Sequence, residues 1–185
     1  MKTALLLIDI QNDYFPGGRM EVEGSIEAAA CARKLLDRFR SEKLPIAHIQ
    51  HVSTRPNATF FIHGTSGVDF HESVSPFEGE AVFVKHYPNS FRSTGLFDML
   101  ERNGIKNLVI AGMMTHMCID ATVRAAFDLH FDCTVISDAC AARPLGFGGV
   151  EVEAKKVHAS FLSALGAVYA KIMVADEFVT GADLT

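Results

Sequence analysis

The feature that most constrains the fold is an alternation of short apolar runs with longer amphipathic segments. Runs that are apolar throughout are typical of strands buried on both faces, and the longer segments repeat apolar residues at helical spacing. The predicted strands are 4–8, 46–50, 81–84, 108–111, 133–136 and 167–170, and the predicted helices are 25–40, 94–103, 115–129 and 150–165. This order predicts an α/β fold, a three-layer α/β/α sandwich with a six-stranded, mostly parallel, Rossmann-like sheet.

Size and composition narrow the classes of function. A chain of 185 residues fits one domain with a substantial core, and we expect residues 1–185 to form it. No segment is long and apolar enough to span a bilayer, and the N-terminus does not resemble a signal peptide. A net charge of −5 without a basic run argues against nucleic-acid binding. Because the cysteines form no CxxC pair, we expect free thiols and a cytoplasmic location. The partner that we expect is a small molecule.

Three reactive side chains follow three of the predicted strands. Asp9 follows the first strand, Lys85 follows the third, and Cys118 comes after the fourth, near the start of a predicted helix. Ligands of such sheets gather beyond the carboxyl ends of the strands, so we expect the three at one edge. If the strand order is 3-2-1-4-5-6, Asp9 and Cys118 flank the switch point and Lys85 must reach in from farther away.

A carboxylate, an ammonium and a thiol together suit covalent acyl transfer. The start of a helix favours thiolate, so Cys118 is the predicted nucleophile. Asp9 would accept the thiol proton and later return one to a leaving amine, while Lys85 would hold both charges. The backbone N–H groups of Met114 and Cys118 are the predicted oxyanion donors. Each residue alone also has a structural interpretation, since strand ends often meet solvent and buried cysteines often only pack.

The sequence resembles the isochorismatase-like cysteine hydrolases over nearly its whole length and in the family's order. The matching motifs are LIDIQNDYF at 7–15, Lys85 with SF at 90–91 and TGL at 94–96, GMMTHMC at 112–118, and SDA at 137–139. The resemblance implies an Asp–Lys–Cys triad at Asp9, Lys85 and Cys118. It also implies a cis peptide bond between Met113 and Met114 and assembly as a homodimer or homotetramer.

Members similar to nicotinamidases carry a metal-binding Asp-x-His after the second strand. The corresponding segment here is HIQHVS at 48–53, in which no aspartate stands two residues before a histidine. His48 and His51 are three residues apart and would face opposite sides of a strand. Although His63 and His71 could add ligands, we expect neither a metal nor another cofactor.

The cysteine also bears on the kind of bond that is cleaved. Family members specialised for the vinyl ether of isochorismate tend to lack the nucleophilic thiol. Cys118 therefore favours hydrolysis of a C–N bond, in an amide, carbamoyl group or cyclic amide, through a thioester. Two alternatives stay open: vinyl ether hydrolysis by Asp9, and a non-catalytic small-molecule or redox sensor that uses Cys118.

Candidates for the substrate pocket come from residues near the same strand ends and from a long segment at 53–79. Segments of that length without regular structure are usually functional, and pockets for small molecules have aromatic walls with few polar groups. The predicted substrate-binding residues are Phe15, Gln50, Phe60, Tyr87, Phe91 and His116. Core packing is the competing interpretation for each phenylalanine, and a solvated first helical turn for His116. Whether the long segment covers its own site or a neighbour's stays open.

Overall fold

The computed structural model describes residues 2–181, and its centre is a six-stranded parallel sheet. The strands are β1 (Lys2–Ile8), β2 (Ile46–His51), β3 (Ala81–Lys85), β4 (Ile105–Met113), β5 (Asp132–Ala141), β6 (Leu145–Phe147), β7 (Val150–Val152) and β8 (Lys171–Met173). The sheet order is β3-β2-β1-β4-β5-β8, while β6 and β7 form a separate hairpin. The predicted α/β class and the six-stranded sheet are confirmed.

Helices cover both faces of this sheet. They are α1 (Ser25–Ser41), α2 (Leu96–Arg102), α3 (Asp120–Asp128), α4 (Ala154–Val168) and α5 (Ala175–Gly181). Strand β1 shows why an entirely apolar run is required: Leu5 and Leu7 pack in the core on the side of α1, and Leu6 and Ile8 pack in the core on the opposite side. A strand in this position has no face left for polar side chains.

The crossovers change direction between β1 and β4, which are neighbours in the sheet. Strands β2 and β3 lie on one side of this pair and β5 and β8 on the other. Gly112 of β4 has a φ of 132°, and a Cβ there would overlap the carbonyl oxygen of Ile8. Only glycine allows β4 to approach β1 so closely at the edge where ligands of such sheets bind.

Two predicted elements near the C-terminus differ from the structure, one in its type and one in its bounds. The segment 167–170 is not a strand, because α4 continues to Val168 and the last strand is Lys171–Met173. The helix predicted at 150–165 begins only at Ala154, since residues 150–152 pair with β6 across a two-residue turn in which Gly148 and Gly149 both have positive φ. Short apolar runs do not distinguish a helix end from a strand, and here tertiary packing decides.

No helix within residues 2–181 is long and apolar enough to cross a membrane. All the cysteines are free thiols, as expected from their spacing.

Candidate active site

The reactive side chains predicted at the strand ends meet in the structure. Asp9 follows β1, Lys85 ends β3, and Cys118 lies in a π-helical turn (Thr115–Ile119) that joins β4 to α3. Lys85 reaches across the end of β2, so that its Nζ lies 2.7 Å from Oδ2 of Asp9. Cys118 Sγ and a carboxylate oxygen of Asp9 lie within 4.8 Å of each other. The sheet order thus places the lysine farther from the switch point, and its long side chain covers the difference.

Asp9 itself has an unusual backbone. Its φ is 52°, in the left-handed region that non-glycine residues rarely adopt and that recurs at functional sites. The Asp9 N–H still bonds to the carbonyl of Ile49, at 3.0 Å, so the pairing with β2 continues to the residue that carries the carboxylate. The side chain is completely buried at this edge of the sheet.

Lys85 is a buried cation held by several acceptors. Its Nζ donates to the carbonyl oxygens of Pro88, at 3.0 Å, and Tyr87, at 3.2 Å, besides facing the Asp9 carboxylate. Burial alone would lower the pKa of Lys85, but the interactions with Asp9 and Cys118 outweigh it and raise the pKa. The ammonium is therefore charged at neutral pH.

The Cys118 thiol is protonated in the free site. Burial raises its pKa, the nearby Asp9 carboxylate raises it further, and the Lys85 ammonium opposes both effects without cancelling them. The start of a helix was expected to favour a resting thiolate, but the effect of burial on the pKa is larger. A thiol in this state needs a base beside it before it can act as a nucleophile.

The turn before Cys118 is tightly organised. The peptide bond between Met113 and Met114 is cis, at the position that the family resemblance implies. The carbonyl oxygen of Met114 accepts the N–H of Met117, at 3.0 Å, and of Ile119, at 3.3 Å.

A cavity of about 260 Å³ opens over Cys118. One wall comes from the beginning of the long segment, and the other parts come from residues after β1, β2, β3 and β4. The lining residues are Tyr14, His51, Ser53, Arg55, Pro56, Asn57, Ala58, Thr59, Phe60, Pro88, Met114, Met117 and Cys118. The segment at 53–79 therefore helps to form the site of its own chain.

Comparison with known proteins identifies the family of this chain. The model of the isochorismatase domain matches residues 3–160. The chain belongs to the isochorismatase family of hydrolases. It is 49% identical over 179 residues to YddQ, an uncharacterized isochorismatase family protein of Bacillus subtilis, covering 97% of this chain and 99% of that protein.

Solved structures of the family superpose on nearly the whole of this chain. A crystal structure from Oleispira antarctica, named as an isochorismatase hydrolase, has a TM-score of 0.93 and 50% identity and covers 97% of each chain. N-carbamoylsarcosine amidase from Thermoplasma acidophilum has a TM-score of 0.83 and 25% identity and covers 96% of this chain and 98% of that one. The family therefore includes amide-cleaving enzymes of the same fold.

Among the predicted substrate-binding residues of this hydrolase, Phe60 lines the cavity. Phe15 lies outside the lining and stacks on His71, with ring centroids 3.7 Å apart. Gln50 also lies outside it, and its Nε2 donates to the carbonyl of Val68 at 2.9 Å. Both side chains support the long segment instead of facing the cavity.

The other predicted pocket residues point elsewhere. The Tyr87 ring lies against the Arg92 guanidinium, 3.6 Å from its central carbon, and only the Tyr87 carbonyl serves the site. Phe91 packs against the core on the side of α2 and α3. His116 is buried against Phe161 at a centroid distance of 5.9 Å. Proximity in sequence to Asp9, Lys85 or Cys118 does not set the direction of a side chain beyond the end of a strand.

His51 is the main residue of the site whose role was not predicted. Its Nδ1 lies 3.4 Å from Nζ of Lys85 and 3.9 Å from Oδ2 of Asp9. Burial lowers the pKa of His51 to about 4, so the ring is neutral at neutral pH. A signal was present, because His51 ends β2, and the sheet places that strand between those that lead to Asp9 and Lys85.

Asp9, His51 and Cys118 also form a group with the donor types of a metal site, their ligand atoms lying within 4.8 Å of one another. The Lys85 ammonium lies against both the carboxylate and the imidazole of this group. A metal ion there would have to displace or face a fixed positive charge, so the donor set does not fit a resident cation.

Two further residues of the first motif support the site. Gln11 Nε2 donates to the carbonyls of His51, at 2.9 Å, and Val68, at 2.7 Å, and its Oε1 accepts the N–H of His51 at 2.7 Å. The buried Asp13 accepts the N–H of Phe61 at 2.6 Å. The motif therefore carries Asp9 and two residues that hold the long segment and the end of β2.

Proposed function

We propose that this protein is a metal-independent cysteine hydrolase that cleaves a C–N bond of a small amide, carbamoyl compound or cyclic amide. The observation that carries the proposal is the Cys118 thiol at a cavity wall, beside a buried ion pair of Asp9 and Lys85. The similarity to N-carbamoylsarcosine amidase supports it.

In the proposed reaction, Asp9 accepts the thiol proton as Sγ of Cys118 attacks the carbonyl carbon. The N–H groups of Met114 and Cys118 stabilise the oxyanion of the tetrahedral intermediate. When the intermediate collapses, the C–N bond breaks, Asp9 returns the proton to the departing nitrogen, and a thioester remains on Sγ. Asp9 then accepts a proton from water, which attacks the thioester, and the thiol leaves reprotonated. Lys85 keeps the carboxylate oriented throughout.

The assembly and its surroundings are part of the same proposal. We infer that the protein acts on a small molecule in the reducing cytoplasm and forms a homodimer or homotetramer. The hairpin of β6 and β7 supports self-association, because Phe147 is 92% exposed and Val150 is 63% exposed. Large apolar side chains clustered on a protruding element are typical of an interface.

Ammonia release from a panel of small amides and carbamoyl compounds tests the reaction. We expect Cys118→Ala to reduce turnover by about a thousandfold or more, because covalent catalysis is lost. Cys133→Ala, which removes another buried thiol on β5, is the matched control and should keep its activity.

Two outcomes would favour the alternatives. If Cys118→Ala kept its turnover while Asp9→Asn lost it, on an isochorismate-type vinyl ether, the thiol would not be the nucleophile and ether hydrolysis would replace the proposal. If the wild-type protein hydrolysed no compound of either class but bound one reversibly, the sensor alternative would replace it.

A further inference from the structure

The wall that the long segment gives to the cavity carries an arginine, which is also exposed to solvent. Arg55 lines the cavity next to Pro56, and among the ion pairs of residues 2–181 none involves its guanidinium. It lies near enough to His51 for its charge to lower the pKa of that imidazole. A His51 ring nitrogen in turn lies within 4.8 Å of Cys118 Sγ. The cation therefore belongs to the same small cavity as the thiol.

The other titratable groups of the wall are uncharged at neutral pH. Burial raises the pKa of Tyr14 well above its usual value and raises that of Cys118, and it lowers the pKa of His51 to about 4. Behind the wall, the charges of Asp9 and Lys85 balance each other at 2.7 Å. Of the residues that line the cavity, Arg55 is thus the one with a formal charge at neutral pH.

The rest of that wall suits a polar end of a ligand. Ser53, Asn57 and Thr59 stand on the same stretch as Arg55 and add hydroxyl and amide groups. Pro88, Met114 and Met117 add apolar side chains to the lining beside the thiol. The volume of about 260 Å³ lies below the range of about 300–1,000 Å³ that holds drug-sized ligands.

We propose that the substrate is a small amide or carbamoyl compound that also carries a carboxylate, and that Arg55 binds this carboxylate while the C–N bond lies over Cys118. A guanidinium pairs with a carboxylate through two parallel hydrogen bonds, which would fix the orientation of the substrate as well as its affinity. That the bound molecule is a substrate rests on the proposed hydrolysis, whereas the anion site rests only on the residues that line the cavity.

The anion site can be tested without turnover. Iodoacetate and iodoacetamide deliver the same alkylating carbon but differ in charge, and mass spectrometry of the Cys118 peptide gives the rate of each. We expect the ratio of the iodoacetate rate to the iodoacetamide rate to fall by about 10-fold in Arg55→Met, because the anionic reagent loses its partner. Arg102→Met, which removes an exposed arginine from α2, is the matched control and should leave the ratio unchanged. An equal ratio in wild type and Arg55→Met would overturn the anion site.

Measurements of turnover then test whether the anion site binds substrates. Succinamate and succinamide differ mainly in the carboxylate, and we expect wild type to prefer succinamate in kcat/KM. Arg55→Met should raise KM for succinamate by about 10-fold or more and leave its kcat similar. It should change kcat/KM for succinamide by less than about twofold. Equal losses for both compounds would overturn the proposal.

The failure of hydrolysis and the failure of anion binding are distinguishable. Retained iodoacetate preference with no amide turnover would overturn the proposed reaction and leave an anion-binding cavity. Turnover of neutral amides without iodoacetate preference would support the proposed reaction and overturn the role of Arg55.

Discussion

Asp9 raises the pKa of two neighbouring groups, and the consequence for their charge is opposite. Its negative charge raises the pKa of Lys85 and so helps to keep the ammonium charged, and it raises the pKa of Cys118 and so helps to keep the thiol neutral. In the proposed reaction the same carboxylate receives the thiol proton. Resting reactivity of the thiol and catalytic competence should therefore respond differently to its loss.

We expect Asp9→Asn to make Cys118 more reactive toward iodoacetamide while abolishing amide hydrolysis. Without the carboxylate, the pKa of the thiol falls, and the thiolate fraction below that pKa rises about tenfold for each unit of the fall. The measurements are the alkylation rate of the Cys118 peptide at about pH 8 and ammonia release. Asp98→Asn, a change of exposed charge on α2, should alter neither. A parallel decrease of both rates in a folded Asp9→Asn protein would show that Asp9 activates the resting thiol instead.

At the scale of elements, the long segment at 53–79 is held at its middle and just after its end. Gln11 and Asp13 hold its middle, and Glu80 ties its end to α1 and β2. The Glu80 carboxylate accepts from Arg40 at 2.7 and 2.8 Å and lies 2.8 Å from Nε2 of the buried His48. His48, a candidate metal ligand in the sequence, thus has a structural partner at the edge of the sheet.

We expect Glu80→Gln to destabilise the protein by about 2 kcal/mol above pH about 5. Burial alone would raise the pKa of Glu80, but bonds from Arg40, the Phe77 N–H and His48 outweigh it and lower the pKa from 4.5 to about 2. The depressed pKa means that the contribution is full above the unfolded value of 4.5 and is lost as the pH falls toward 2. Urea unfolding at several pH values measures it.

The neighbouring Glu78→Gln is the control for that series, since Glu78 is exposed and forms none of these bonds. A destabilisation of Glu80→Gln that stayed constant down to about pH 2 would contradict the role of its charge.

At the scale of the whole molecule, one edge of the sheet carries the reactive side chains, and one hairpin exposes large apolar side chains. The reversal of the crossovers between β1 and β4 opens the edge at which Asp9 and Cys118 stand. The hairpin of β6 and β7 follows β5 and exposes Leu145, Phe147 and Val150.

We expect Phe147→Asp to shift the protein toward a smaller assembly. A buried charge without a partner is costly in an interface, whereas on a free surface it is tolerated. Light scattering after gel filtration gives the mass of wild type and variant. Ile26→Asp, at an exposed apolar position on α1, is the control. A mass unchanged by Phe147→Asp would place the interface elsewhere or show a monomer.

The parts of the fold and the candidate site that could be predicted share one property, which is that they depend on strand geometry. Asp9 and Lys85 were located because one directly follows and the other ends an apolar strand, and parallel strands end at one edge. The pocket was predicted less well: Phe60 faces the cavity, whereas Phe15 and Phe91 pack elsewhere. Their directions depend on the path of the long segment and on the core beneath it, and residue periodicity describes neither.

By itself, the sequence determined the parallel sheet, the edge at which its reactive side chains meet, and membership of a hydrolase family, because strand periodicity and motif order are local properties. Only the tertiary structure decided that His51 lies beside the pair of Asp9 and Lys85, that Arg55 lines the same cavity as the thiol, and that Cys118 rests as a neutral thiol. Those outcomes depend on burial and on charges brought together from distant parts of the chain, and both arise only when the sheet and the long segment pack against each other.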